Sequence, residues 1–370
     1  MVLEVIYVVR HGFRSNWTVN PNTGDYIAHI KSPTGIASDP ALASHGVDQA
    51  EQLGDLLQTL EPPIDVVYSS PFYRCLQTLQ PGVKKLFEKG KAKGAEREQQ
   101  GGVRVENGLG EFYGLARFDH PSPAPLEVLH THFPNLLNPT YTRPLLVPST
   151  RGESIPTLHD RIAYVLWRII SATDRSGVRA LLISTHAATM ICIGRVLTGE
   201  MPDNVAEEDF RCGTASFSRF RRRAVNIPGM GGKVGSGRTE REEVEEWKEN
   251  EPERIPAIDW RDGNGIAGGW ICEINGDCDH LDDGEERGWY VTLCFSFSFL
   301  SAPFPSPLPI FHFHFHFHFH FSYHSPSLLS SQKPHPIHPR PSPQFLYLSF
   351  SNLSLPFPPP IGPSNTSSTS

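Results

Sequence analysis

A chain of 370 residues is long enough for two or three domains. Its 38% hydrophobic and 20% charged composition supports a sizeable core in part of the chain, and it excludes collagen, a coiled coil and a polytopic membrane protein. A formal charge of −7, from 33 basic and 40 acidic residues, argues against coating nucleic acid by bulk charge but leaves room for a basic pocket.

Residues 2–9 are an apolar run too short for a helix and rich in β-branched side chains, which predicts a buried parallel strand. Ser44 is placed to cap a helix reaching Thr59, with Val47, Ala50, Leu53 and Leu57 spaced by three and four. A second short strand is predicted at 64–68, a helix made irregular by Pro81 at 73–88, a charged, glycine-rich loop at 89–102 and a strand at 103–105. Leu158, Ile162, Val165, Leu166 and Ile169 mark one face of a helix, followed by a buried strand at 178–184 and a helix at 190–197. This alternation predicts an α/β fold, a three-layer αβα sandwich with a mostly parallel sheet, over residues 1–228.

After Ala224 the texture changes. Residues 229–255, glycine-rich and then mixed in charge, read as a linker. Residues 256–290 read as a β-rich extension, with Trp260, Trp270 and Trp289 among strand fragments too short to bury them alone. The only charges in 291–370 are Lys333 and Arg340, so 1–290 carries a net −9. This tail is Phe, Ser, Pro and His, alternating strictly between Phe and His from Phe311 to Phe321. It reads as disordered, or as translated non-coding sequence, since Val291-Thr292 suits a splice donor. The alternation would put five histidines on one face, a weak metal-binding signal.

Six cysteines without a C-x-x-C pair read as free thiols in a reducing compartment. Residues 1–9 lack a basic n-region and carry Glu4, and no uncharged apolar run is long enough to cross a bilayer. Cytosol or nucleus is the expected location.

The chemistry gathers at strand ends. The first predicted strand runs into Arg10-His11-Gly12, the second into Ser69-Ser70-Pro71-Phe72-Tyr73-Arg74-Cys75-Leu76-Gln77-Thr78, and a later one into Thr185-His186-Ala187. Open parallel sheets bind ligands at the carboxyl ends of their strands. Two arginines and two histidines thus arrive at one edge. A histidine beside a strand is commonly structural, and its company in register is what favours function.

These strings resemble the histidine phosphatase superfamily, also called phosphoglycerate mutase-like, whose pattern is R-H-G, then S-S-P-x-x-R-x-x-Q-T, a mid-chain acid and a late histidine. The resemblance implies a phosphomonoesterase working through a phosphohistidine. In that role His11 is the nucleophile, Glu111 the general acid, and Arg10, Arg14, Arg74 and His186 bind phosphate, with no metal and no cofactor. Arginine forks suit phosphoryl oxygens, because they match them bidentately. Glu106 competes with Glu111 as the acid. Arg14 after Phe13 looks unlike a phosphoglycerate mutase, which stays an alternative, and like the branch holding the Sts-type tyrosine phosphatases.

Arg10 to Trp17, Ser70 to Leu76 and 269–276 resemble more closely the phosphatase-like small subunits of the fungal RNA polymerase III factor TFIIIC. That resemblance implies a nuclear location and a larger TFIIIC subunit as partner, bound through residues 256–290. A purely structural subunit with a vestigial site is the alternative. The substrate is a phosphorylated small molecule or phosphoprotein, with its specificity in loops 16–36 and 116–150. No membrane association and no direct nucleic-acid binding are expected. The run 219–223, four arginines around Phe220, reads as the solvated end of an edge strand rather than a nuclear signal, a phosphoinositide patch or a nucleic-acid contact.

Overall fold

A computed structural model describes residues 2–92, 101–224 and 244–286, and the backbone of three strands beyond them, at 290–297, 313–320 and 346–350. The first strand, β1 (Val5–Arg10), is buried along its whole length. A two-stranded ribbon, β2 (Trp17–Val19) and β3 (Tyr26–Ala28), precedes helix α1 (Ser44–Leu57). Then follow β4 (Val66–Ser69), α2 (Tyr73–Ala92), β5 (Val103–Val105), α3 (Leu126–His132), α4 (Ile155–Ser176), β6 (Ala180–Thr185), α5 (Ala187–Thr198), β7 (Phe217–Arg222) and β8 (Trp270–Asp277).

These strands build one six-stranded sheet in the order β5-β4-β6-β1-β7-β8. The first four run parallel, and β7 and β8 are antiparallel. Successive side chains point to opposite faces of a strand. Ile6 and Val8 of β1 therefore enter a core with α4 and α5, while Val5, Tyr7 and Val9 enter a second core with α1 and α2. An apolar strand buried on both faces is the reason for three layers.

Helix boundaries follow local chemistry. Ser154 caps α4 by accepting from the Thr157 N–H at 3.2 Å, and Gly177 ends it with φ of 70°. Ser44 differs from expectation. It is the first residue of α1, the cap position falls on Ala43, and no side chain caps that end. Elements that lacked a long periodic run, β2, β3 and α3, emerge only in the structure. The α1–α2 crossing is close because both helices place glycine there. A Cβ on Gly54 would stand 2.9 Å from the Gly82 nitrogen.

The C-terminal residues depart most from expectation. β8 does not stand apart but extends the main sheet beside β7. Trp260 and Trp270, expected to need a partner, are fully buried in the core formed with α4 and α5. Trp247 also packs there and its N–H donates to the Tyr164 hydroxyl at 2.9 Å. Residues 225–243, which include most of the expected linker at 229–255, and Trp289 lie outside the described residues. β7 is an interior strand, so its arginines are not at an edge. Arg219 and Arg221 pair with Glu273, Arg222 pairs with Asp174, and Arg223 donates to the carbonyls of Thr198 and Gly263. Two carboxylates thus pair three of the four arginines, and backbone carbonyls hold the fourth.

In the tail expected to be disordered, β9 (Tyr290–Phe297), β10 (Phe313–His320) and β11 (Leu346–Phe350) form a separate antiparallel sheet in the order β11-β10-β9. The strict period of two in the Phe-His run is the strand period. The rest of 291–370 lies outside the described residues.

Candidate active site

β1, β4 and β6 end side by side, since Arg10 is level with Thr185, and Ser69 with Ser184. His11 follows directly. Its N–H donates to the Thr185 carbonyl at 3.0 Å and its own carbonyl accepts from the Ala215 N–H at 3.2 Å, so its backbone is held from both sides. The buried imidazole places Nδ1 2.8 Å from the Gly12 carbonyl oxygen. A carbonyl only accepts, so Nδ1 carries the proton and Nε2 keeps its lone pair. Burial first, then Arg74, Arg10, His186 and Arg14, push the His11 pKa well below that of ordinary imidazole. The ring is neutral at neutral pH.

Arg74 lies in the first turn of α2 and is fully buried. Its Nη2 donates to Glu111 Oε2 at 3.0 Å and lies 3.1 Å from His186 Nδ1. Its Nη1 donates to the Ser38 carbonyl at 3.2 Å and stands 3.5 Å from Asp39 Oδ1. Phe72 supports the guanidinium at 4.7 Å. Asp39 also accepts from the Tyr73 N–H at 2.8 Å, so a loop carboxylate both caps α2 and orients its arginine. Burial raises the Asp39 pKa to about 6 against the pull of Arg74.

His186 occupies the cap position of α5, its ring centroid 5.3 Å from that of His11. Its Nε2 is 2.7 Å from Ser70 Oγ. A hydroxyl donates or accepts, so Ser70 satisfies Nε2 in either tautomer. Burial lowers the His186 pKa to about 4, although Glu111 pulls it upward. Glu111 is aimed by the residue before it, because the Gly110 carbonyl accepts from Thr189 Oγ1 at 2.8 Å and Arg161 Nη1 at 3.3 Å. Burial alone would raise the Glu111 carboxyl, but His186 and Arg74 beside it hold it well below the usual carboxylate range. At rest it is ionised. Glu106, its competitor, is buried elsewhere, accepting from the Tyr141 hydroxyl and the N–H groups of Gly108, Leu145 and Leu146.

Arg10 donates through Nη1 to the Cys212 carbonyl at 2.5 Å. Arg14 donates to the Ser15 carbonyl at 2.9 Å and lies 5.8 Å over the Trp17 ring. Trp17 contacts Tyr26 and Tyr113, and Tyr26 donates to His120 Nδ1 at 2.5 Å, so the two loops expected to set specificity meet in an aromatic wall. The turn itself depends on a glycine. A Cβ on Gly46 would lie 1.9 Å from the Phe13 oxygen, so only glycine lets α1 approach this closely.

Residues 6–226 match the histidine phosphatase superfamily (branch 1). The chain belongs to the histidine phosphatase superfamily. It is 30% identical over 296 residues to the transcription factor tau 55 kDa subunit of Saccharomyces cerevisiae, covering 78% of this chain and 59% of that one. It is 27% identical over 226 residues to an ecdysteroid-phosphate phosphatase of Drosophila melanogaster, 55% of this chain and 28% of that one. The chain thus spans less than two thirds of the length of either of these relatives. Among solved structures, an ecdysone phosphate phosphatase from Bombix mori aligns with a TM-score of 0.47 at 19% identity, covering 64% of this chain and 98% of that one.

His11, Arg74, Glu111 and His186 converge here, with Arg10 and Arg14 close enough to depress His11. Ser70 and Asp39 were given no role from the sequence. Ser70 stood inside the quoted strand-end motif, and Asp39 only among residues that resemble the TFIIIC subunits. His11, Glu111 and His186 offer ligand atoms within 4.8 Å of one another, a set that could take a metal by geometry alone. Arg74 sits against two of the three, and its positive charge favours an anion.

Proposed function

We propose that the chain is a phosphomonoesterase acting through a phosphohistidine at His11. The observation that carries this is the His11 imidazole, protonated on Nδ1 and neutral, with Nε2 open beside three arginines. The arginines clamp a dianionic phosphoryl group, and Nε2 attacks phosphorus as the ester P–O bond breaks. Glu111 protonates the leaving oxygen. It is ionised at rest, and an arriving phosphate supplies what it lacks. The anion competes for Arg74 and adds negative charge, both of which raise the Glu111 pKa until it takes up a proton. Water then attacks the phosphohistidine, Glu111 accepts its proton, and phosphate leaves with His11 restored. His11→Ala in the full chain is expected to abolish p-nitrophenyl phosphate hydrolysis and the acid-labile, base-stable phosphoenzyme. Wild-type turnover in that variant ends this mechanism.

The second reading is a nuclear TFIIIC subunit, and the two are compatible. Its support is the 296-residue similarity to the tau subunit, which is longer than the 6–226 match to the superfamily. Within the fold, the β5 edge is covered by Leu136 and Asn138, whereas among the described residues nothing pairs with the outer edge of β8. Ile271 there is 53% exposed beside a groove of about 800 Å³ lined by Thr198, Arg223 and Asn275. Such an edge accepts a partner strand. Ile271→Lys is expected to prevent co-purification with the larger TFIIIC subunit, and His11→Ala to leave it intact. Equal recovery with both variants removes the β8 edge from the interface.

A further inference from the structure

The C-terminal residues after β8 return to the active site. Residues 278–286 lie against Thr214 and Ala215, the segment before β7 that holds the His11 carbonyl. The Thr214 N–H donates to the Glu286 carbonyl at 2.9 Å, and His280 Nε2 donates to the Ala215 carbonyl at 3.1 Å. Ala215, which donates to the His11 carbonyl, has φ of 54°, a left-handed conformation that costs a non-glycine residue and persists where its surroundings over-determine it.

The side chains of this arm converge further. Gln49 on α1 is buried with both ends of its amide engaged. Its Oε1 accepts from the Phe13 N–H at 2.8 Å, and its Nε2 donates to Glu286 Oε2 and to Thr214 Oγ1, each at 3.2 Å. His45, one turn earlier on α1, sets its Nε2 2.7 Å from the same Glu286 oxygen and packs its ring edge-on against Phe13, with centroids 5.6 Å apart. Phe13 is therefore gripped by its N–H and by its ring, both of these grips end on one carboxylate, and its carbonyl accepts from the Ala43 N–H at 2.9 Å. Phe13 lies between His11-Gly12 and Arg14.

We propose that Glu286 is a positioning residue for the turn from His11 to Arg14, acting through Gln49 and His45, so that the C-terminal arm is part of the active-site scaffold. The inference rests on the phosphatase reading for its catalytic consequence. It gives the extension a use inside the chain.

The test compares Glu286→Ala, Glu286→Gln and Glu285→Ala in the full chain. Glu285 is in the same arm and pairs with Arg211 rather than with Gln49 or His45. With p-nitrophenyl phosphate, Glu286→Ala is expected to lower kcat/KM about tenfold, since small displacements near a reacting group are costly. Glu286→Gln, which keeps an acceptor for Gln49, should recover most of that loss, and Glu285→Ala should stay within about twofold of wild type. Wild-type kcat/KM in Glu286→Ala, an equal loss in Glu285→Ala, or no recovery in Glu286→Gln overturns the proposal. If the wild-type chain shows no turnover, the phosphatase reading fails by itself. The positioning role is then read from amide hydrogen exchange of Gly12 to Arg14. Faster exchange in Glu286→Ala with recovery in Glu286→Gln supports it, and equal rates in wild type and Glu286→Ala refute it.

Discussion

Arg74 shows how one side chain joins several jobs. It supports Glu111, contacts His186, and is oriented by Ser38, Asp39 and Phe72. Lysine would keep the charge but not the planar fork. Arg74→Lys is therefore expected to lower kcat/KM by roughly 10²–10³, comparable to removing one preorganised donor from an oxyanion site. A loss under about fivefold in steady-state kinetics would show that charge alone suffices. Burial also keeps the thiol beside His186 inert, because the Cys75 pKa is pushed up to about 12.

Elements fix where these residues meet. Gly46 in the first turn of α1 touches the Phe13 carbonyl, so a methyl there must move either the helix or the turn. Gly46→Ala is expected to cost about 10² in turnover while circular dichroism still reports a folded α/β protein. An unchanged rate would mean that the turn tolerates displacement. The C-terminal residues are elements of the same domain. Trp260 and Trp270 are fully buried, and Trp260 stacks on His159 at 5.8 Å. Trp260→Ala is expected to destabilise the chain by about 3–5 kcal/mol, readable in urea melts. Truncation after Ala224 would remove β8 and both tryptophans and expose the core against α4 and α5. That truncated chain should aggregate or melt without cooperativity, so it cannot separate partner binding from folding.

For the whole molecule, two tests follow from the charges. The site clusters around Arg74, so EDTA is expected to leave phosphatase activity unchanged. Inhibition reversed by zinc or magnesium would assign a metal to His11, Glu111 and His186 instead. Stability should depend on pH through the buried histidines. The His186 and His159 pKa values are lowered to about 4 and that of His11 falls well below its usual value, while unfolded histidine titrates near 6.5. Between about pH 4 and 6.5 the unfolded chain binds more protons, so stability rises with pH across that window and is lost as pH falls. Asp39, raised to about 6 from 3.8, opposes this over an overlapping range. Glu106 and Asp160, also raised by burial, act with Asp39, whereas His120 and His280, also lowered by burial, act with the other three histidines, so a thermal midpoint is expected to fall as pH drops from 6.5 to 4.5. A midpoint that rises instead would mean that the histidines are not buried neutral.

What the sequence by itself determined was local. A doubly buried strand must be a continuous apolar run, so 2–9, 64–68 and 178–184 declared β1, β4 and β6, and the strand-end motifs declared His11, Arg74 and His186. The alternation of strands and helices then implied three layers. Short elements such as β2, β3 and α3 bury too little to carry a period, and they were not legible. Contacts between distant segments were not legible either. Asp39 on Tyr73, Ser70 on His186, and Glu286 on Gln49 join residues whose spacing in the chain carries no signal. The extension makes the same point at a larger scale. Its aromatic residues announced a need for burial, and composition cannot say against what. The tertiary structure decided, because β7, paired with β1 along one edge, left its other edge to β8, and the layer above it had room for two tryptophans.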